Sequence, residues 1–190
     1  WRAPARSVAL PDRRAAPASL AWYLLASLVV VADQLSKWVA SAQLDYAAPA
    51  PVWFWLNITL HHNQGAAFSF LSGAGGWQRW FFAGLAVMVS GAIAVWLRQL
   101  RRSQGLLACG LALVLGGALG NLADRLRLGY VVDFISVHYR DWYFPTFNVA
   151  DAAISVGAAL IILDSLFGVD EGRGAKEERA AGSGDDDRTS

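Results

Sequence analysis

Ser103–Ala123, SQGLLACGLALVLGGALGNLA, runs for 21 residues without a charge between Arg102 and Asp124. As a helix rising ~1.5 Å per residue it crosses the ~30 Å hydrocarbon layer of a bilayer. Working outward, Arg79 and Arg98 enclose 18 uncharged residues, and Arg14 and Asp33 enclose another 18. A fourth apolar stretch, about 148–168, carries Asp151 near its start and Asp164 near its end. The 190-residue chain is 55% hydrophobic and only 16% charged, with a mean hydropathy of +0.35, away from the balance of a soluble domain. The pattern predicts one compact membrane domain over 19–168, with spans at about 19–39, 78–98, 104–123 and 148–168. The longer loops are then 40–77 and 124–147.

Arg2, Arg6, Arg13 and Arg14 precede the first span, Arg98, Arg101 and Arg102 fill the second connection, and Arg173, Lys176, Arg179 and Arg188 follow the last. Four crossings put these three groups on one side, which the excess of positive charge makes cytoplasmic. Both termini are expected there. Trp38, Trp53, Trp55, Trp77, Trp80 and Trp142 then form an interfacial belt around the outer end. A basic start followed by an apolar run and Ala40-Ser41-Ala42 also imitates a cleavable signal peptide, but Asp33 and Lys37 interrupt it. Residues 1–18 and 169–190, the latter with Asp185, Asp186 and Asp187, are expected to be disordered tails. A net charge of +1 with scattered basic residues argues against a nucleic-acid partner.

Val52–Leu60 and Tyr130–Val137 are rich in β-branched and aromatic residues, which predicts two short strands. They can pair as a small sheet outside the lipid, where an open edge costs nothing. The expected class is therefore an all-α integral membrane protein, four transmembrane helices with a small extracytoplasmic β-sheet cradle.

The polar groups gather at the outer ends of the spans. Asp33, Gln34 and Lys37 close the first, Asn121, Asp124 and Arg125 close the third, Asn148 and Asp151 open the fourth, and Asn63 and Asp133 lie on the loops between. Intramembrane carboxylates are costly unless paired or functional. Asp33 and Lys37, four apart, share a helical face and can form an ion pair. Asn121 and Arg125 can project together into a cleft as donors for a peptide backbone, or Arg125 can instead tie the helix end to a carboxylate. Asn148 and Asp151 have the spacing of a helix cap. Asp133 and Asp151 brought together cannot both ionise comfortably, and one shared proton supplies a base and an acid for hydrolysis.

Other chemistries fit less well. Ser36 and Lys37 point ~100° apart on a helix, so they form no serine–lysine dyad. His61, His62 and His138 lack metal-ligand spacing, and no cofactor is expected. Cys109 lies within an apolar run as a small buried hydrophobe. Gly116, Gly117 and Gly120 suit close helix packing rather than nucleotide binding. A small proton or ion translocator is the alternative reading, but it requires carboxylates at mid-depth, which this chain lacks. A non-catalytic scaffold would need no convergent carboxylates.

Five blocks in order, Asp33–Lys37 (DQLSK), Asn63–Phe68 (NQGAAF), Gly120–Arg125 (GNLADR), Val132–Phe134 (VDF) and Phe147–Asp151 (FNVAD), together resemble the lipoprotein signal peptidases, or signal peptidase II. The resemblance covers about residues 20–168. It implies an intramembrane aspartic endopeptidase of the bacterial cytoplasmic membrane that needs no metal. The implied substrates are prolipoproteins with a diacylglyceryl-modified cysteine, cut immediately before that residue. By this resemblance Asp133 and Asp151 are the catalytic pair, Asn63, Asn121, Arg125 and Asn148 lie around the peptide, Asp33 and Lys37 form a supporting pair, and Gly65 and Asp124 join them as substrate-binding or supporting residues. Membrane lipids and the cyclic peptide antibiotic globomycin are the other implied partners.

Overall fold

The computed structural model describes residues 19–65 and 76–182. In chain order it contains α1 (Ser19–Gln43), β1 (Ala50–Trp53), β2 (Leu56–Asn63), α2 (Trp77–Gln99), α3 (Gly105–Arg127), β3 (Val131–Tyr139), β4 (Trp142–Tyr143) and α4 (Val149–Gly182). All four helices are long and apolar enough to span a membrane. The expected tail at 1–18, the last residues from 183 and the Ala66–Phe68 part of the NQGAAF block lie outside the described residues.

α3 is the central helix. In its most apolar window 61% of residues are buried, against 22% for α1 and α2 and 11% for α4. Its glycines let neighbours approach closely. A Cβ on Gly116 would strike the Ala26 carbonyl and Val29 of α1, and one on Gly117 would strike the Ala150 carbonyl and Ile154 of α4. On the far side of α1, Leu20, Leu24, Leu28, Val31 and Leu35 are all more than half exposed. That outward apolar stripe is what a lipid-facing helix presents. Of the expected interfacial belt, Trp38, Trp53, Trp77, Trp80 and Trp142 are likewise more than half exposed, and Trp55 is 42% exposed.

The strands form one antiparallel sheet in the order β1-β2-β3-β4. It packs on α1 and α3. Where the sequence suggested one strand over Val52–Leu60, the chain turns at Phe54–Trp55 and splits it into β1 and β2. Neither turn residue is a glycine, proline or asparagine, so composition carried no mark of the reversal. A register shift between Ile58 and His61 leaves His61 opposite Asp133 and Asn63 opposite Val131.

Two helix ends extend past their expected limits. α3 continues through Asp124 to Arg127 because the charge that ended the uncharged run is neutralised inside the protein. α4 continues beyond the apolar span to Gly182, where the composition suggested disorder from residue 169. Ala175, Lys176, Glu177, Glu178, Arg179, Ala180 and Ala181 are strong helix formers and extend a helix already nucleated in the span.

Candidate active site

The site lies where the C-terminal ends of α1 and α3, the N-terminal end of α4 and the start of β3 converge. Asp133, the third residue of β3, is 3% exposed. Its Oδ1 accepts from Asn148 Nδ2 at 2.7 Å and its Oδ2 accepts from Asn63 Nδ2 at 3.0 Å. Burial pushes its carboxyl up to about 6, and the neighbouring charge of Asp151 adds to the rise. Hydrogen bonds from Asn63 and Asn148 and the charge of Lys37 oppose it without cancelling it.

Asp151 sits in the first turn of α4. Its Oδ1 accepts from Asn121 Nδ2 at 2.8 Å, and its Oδ2 accepts the Asn148 backbone N–H at 3.3 Å. The Asp151 N–H in turn donates to Asn148 Oδ1 at 2.9 Å. Asn148 and Asp151 thus form a reciprocal capping box. The cap and the carboxylate pair, which the sequence posed as competing explanations, are the same residues in one arrangement. Because Asn148 caps α4 with its oxygen, its amide nitrogen is left for Asp133. One fully buried side chain joins the two aspartates.

Three asparagines serve the pair, and each has its carbonyl taken by a group that can only donate. Asn63 Oδ1 accepts the Gly65 N–H at 2.8 Å, Asn121 Oδ1 accepts from Lys37 Nζ at 3.0 Å, and Asn148 Oδ1 accepts the Asp151 N–H. Each amide nitrogen must therefore face a carboxylate. Gly65 makes the first of these turns possible: its φ is +95°, and a Cβ there would lie 2.7 Å from the Phe82 ring.

Behind this shell lies a buried ionic cluster. Lys37 Nζ lies 2.8 Å from Asp33 Oδ2 and 2.9 Å from Asp124 Oδ2. Asp33 Oδ1 accepts the Ala150 N–H at 2.9 Å, so a carboxylate of α1 satisfies an unpaired donor at the start of α4. Asp124 Oδ2 also accepts the Val132 N–H at 3.1 Å, fixing the strand one residue before Asp133. Gly120 is required beside this cluster, since a Cβ there would lie 2.6 Å from Asp33 Oδ2.

All ten residues singled out from the sequence are present at this end of the bundle, with differences in detail. Lys37 pairs with Asp124 as well as Asp33. Arg125 donates to the Asn121 carbonyl at 3.2 Å and lies over the Phe82 ring at 5.4 Å, within electrostatic reach of Asp151 and Asp133. Gln34 is the participant whose role the sequence did not disclose. Its Nε2 donates to Asp124 Oδ1 at 2.9 Å and its Oε1 accepts from Arg127 at 3.2 Å. Its place in the DQLSK block was the available signal. Phe82 and the backbone donors of Val132 and Ala150 had none. Asp164 lies far down α4 from Asp151, apart from this cluster.

Fold and site together define a multi-pass membrane protein with a carboxylate pair, Asp133 buried and Asp151 half-buried, at one end of its helix bundle. A family model described as signal peptidase II matches residues 25–167. The chain belongs to that family. Among its relatives, the lipoprotein signal peptidase of Acinetobacter baumannii is 54% identical over 151 residues, 80% of this chain and 86% of that protein. The lipoprotein signal peptidase of Teredinibacter turnerae is 55% identical over 151 residues, 80% of this chain and 90% of that protein. Two solved structures, each described as a bacterial membrane enzyme obtained by the in meso method, share the fold. Their TM-scores are 0.68 and 0.69 at 33% and 32% identity, each covering 77% of this chain and 87% and 93% of their own.

Proposed function

We propose that this protein is an aspartic endopeptidase that removes signal peptides from diacylglyceryl-modified prolipoproteins, cutting before the lipidated cysteine. The observation that carries the reading is the joint attachment of Asp133 and Asp151 to Asn148, with the Asp133 carboxyl raised by burial. Family membership and the names of the relatives support the substrate class.

Asp133 holds the shared proton and Asp151 is the carboxylate. Asp151 removes a proton from water as the water oxygen attacks the scissile carbonyl, and the Asp133 proton stabilises the oxyanion that develops. The proton now on Asp151 passes to the leaving amine as the C–N bond breaks, and Asp133 recovers its own. Asn63, Asn121 and Asn148 hold both carboxyls in place while charge moves between them. Arg125 lies beside the pair and orients peptide carbonyls.

The three arginine-rich groups of the sequence support a cytoplasmic location for both termini, in the bacterial inner membrane, with the site at the outer face. The substrate's acyl chains then stay in lipid while the scissile bond meets the aspartates at headgroup depth. Globomycin is expected to occupy the same place.

The test is the purified protein in vesicles with a diacylglyceryl-modified precursor, its products read by mass spectrometry. A product beginning at the lipidated cysteine is expected, with the unlipidated precursor left intact. Equal cleavage of both precursors, or of neither, contradicts the reading.

A further inference from the structure

Lys37 has two roles that can be separated. It is 3% exposed, and its three N–H groups have three partners: Asp33 Oδ2 at 2.8 Å, Asp124 Oδ2 at 2.9 Å and Asn121 Oδ1 at 3.0 Å. The two carboxylates account for keeping a buried ammonium. The third bond goes to a neutral amide whose other end touches Asp151. An ammonium has no acceptor, so it fixes which end of Asn121 faces it. The Asn121 oxygen also accepts from Asn148 Nδ2 at 3.2 Å, but Lys37 is its closer and only charged donor; with the oxygen so held, the nitrogen faces Asp151, and an N–H aimed at a carboxyl oxygen favours the oxygen without its proton.

We propose that Lys37 is a positioning residue which, by holding the Asn121 carbonyl, decides which aspartate of the pair carries the shared proton. This rests on the peptidase reading above. The charged groups around Asp151 and its partner are Asp33 and Lys37 from α1, Asp124 and Arg125 from α3, and Asp133 from β3, with His61 of β2 in register opposite Asp133. Arg125 reaches only the backbone carbonyl of Asn121, and among these charged groups Lys37 is the one bonded to the side-chain amide that donates to Asp151. Asp133 has its two amides oriented by backbone N–H groups, which no side-chain substitution alters. The asymmetry of the pair therefore has one adjustable member, Asn121, and Lys37 sets it.

The test compares pH profiles of kcat/KM on a diacylglyceryl-modified precursor. Lys37→Met combined with Asp124→Asn turns two carboxylates and one ammonium into one carboxylate, so the net charge of the cluster is kept while the donor facing Asn121 is removed. The expected result is an acid limb moved up by about one pH unit, tenfold in rate on that limb, with KM little changed. Asn121→Asp is the second variant. It retains the Lys37 ion pairs but presents an acceptor to Asp151, and its acid limb should move the same way or further. A folded double variant, or a folded Asn121→Asp protein, with the wild-type profile would overturn the positioning role. If the double variant does not fold, Asn121→Asp alone decides. A wild-type protein that cleaves nothing would overturn the peptidase reading, and this inference with it.

Discussion

Asn148 Nδ2 donates to Asp133 Oδ1 at 2.7 Å, from the residue whose carbonyl oxygen caps the helix that carries Asp151. One residue therefore couples helix stability to the geometry of the carboxylate pair, and a graded substitution separates the two contributions. Asn148→Ala should lose both, and Asn148→Ser should restore the cap alone. Serine is expected to recover about 1 kcal/mol of the stability lost to alanine, read as denaturant unfolding in detergent. Cleavage should stay at least tenfold down in both. Full activity in the serine variant would show that the bond to Asp133 is dispensable.

The elevated Asp133 carboxyl gives the free enzyme a basic limb. In the proposed mechanism its protonated form is the acid, so kcat/KM should fall as pH rises through about 6. Substrate that excludes water should move the corresponding limb of kcat higher still. A kcat/KM profile flat from pH 5 to 8 would contradict the assignment of the proton to Asp133.

The same shift affects folding. A carboxyl whose value in the folded protein, about 6, lies above the ordinary 3.8 contributes stability fully present below pH 4 and lost as pH rises through 6. The loss is on the order of 3 kcal/mol at most. Unfolding midpoints should decline from about pH 4 to 7 in the wild type and level off above, with a smaller decline in Asp133→Asn. Parallel slopes for the two proteins would remove Asp133 as the cause.

Gly120 and Gly91 differ in what a methyl group would meet. At Gly120 the Cβ falls 2.6 Å from Asp33 Oδ2, whereas at Gly91 on α2 nothing lies within 4 Å. Gly120→Ala should cost about 1–3 kcal/mol by displacing Asp33 from Lys37 and from the Ala150 N–H. Gly91→Ala should be neutral or slightly stabilising. Equal stability of the two variants would mean that α1 and α3 can separate without cost.

Much of this arrangement was legible in the sequence because membrane spans are marked by length and missing charge. The five motif blocks also put Asp133 and Asp151 forward as a pair before any coordinates. The turn at Phe54–Trp55 escaped notice because apolar residues at a lipid surface need no polar turn chemistry. Lys37 was paired with Asp33 because a four-residue spacing is visible in one dimension. Its contacts to Asp124 and Asn121 cross from one helix to another, and no periodicity encodes that. The dual use of Asn148 was hidden for a related reason: a helix cap explains the spacing completely, so the second bond leaves no trace in the chain.

The most direct measurement is cleavage of the lipidated precursor by Asp133→Asn and by Asp151→Asn, each shown to be folded by its unfolding transition. Each change alone is expected to reduce cleavage at least a thousandfold, since the water loses either its base or the acid opposite it. Normal cleavage by either folded variant would contradict hydrolysis by this pair.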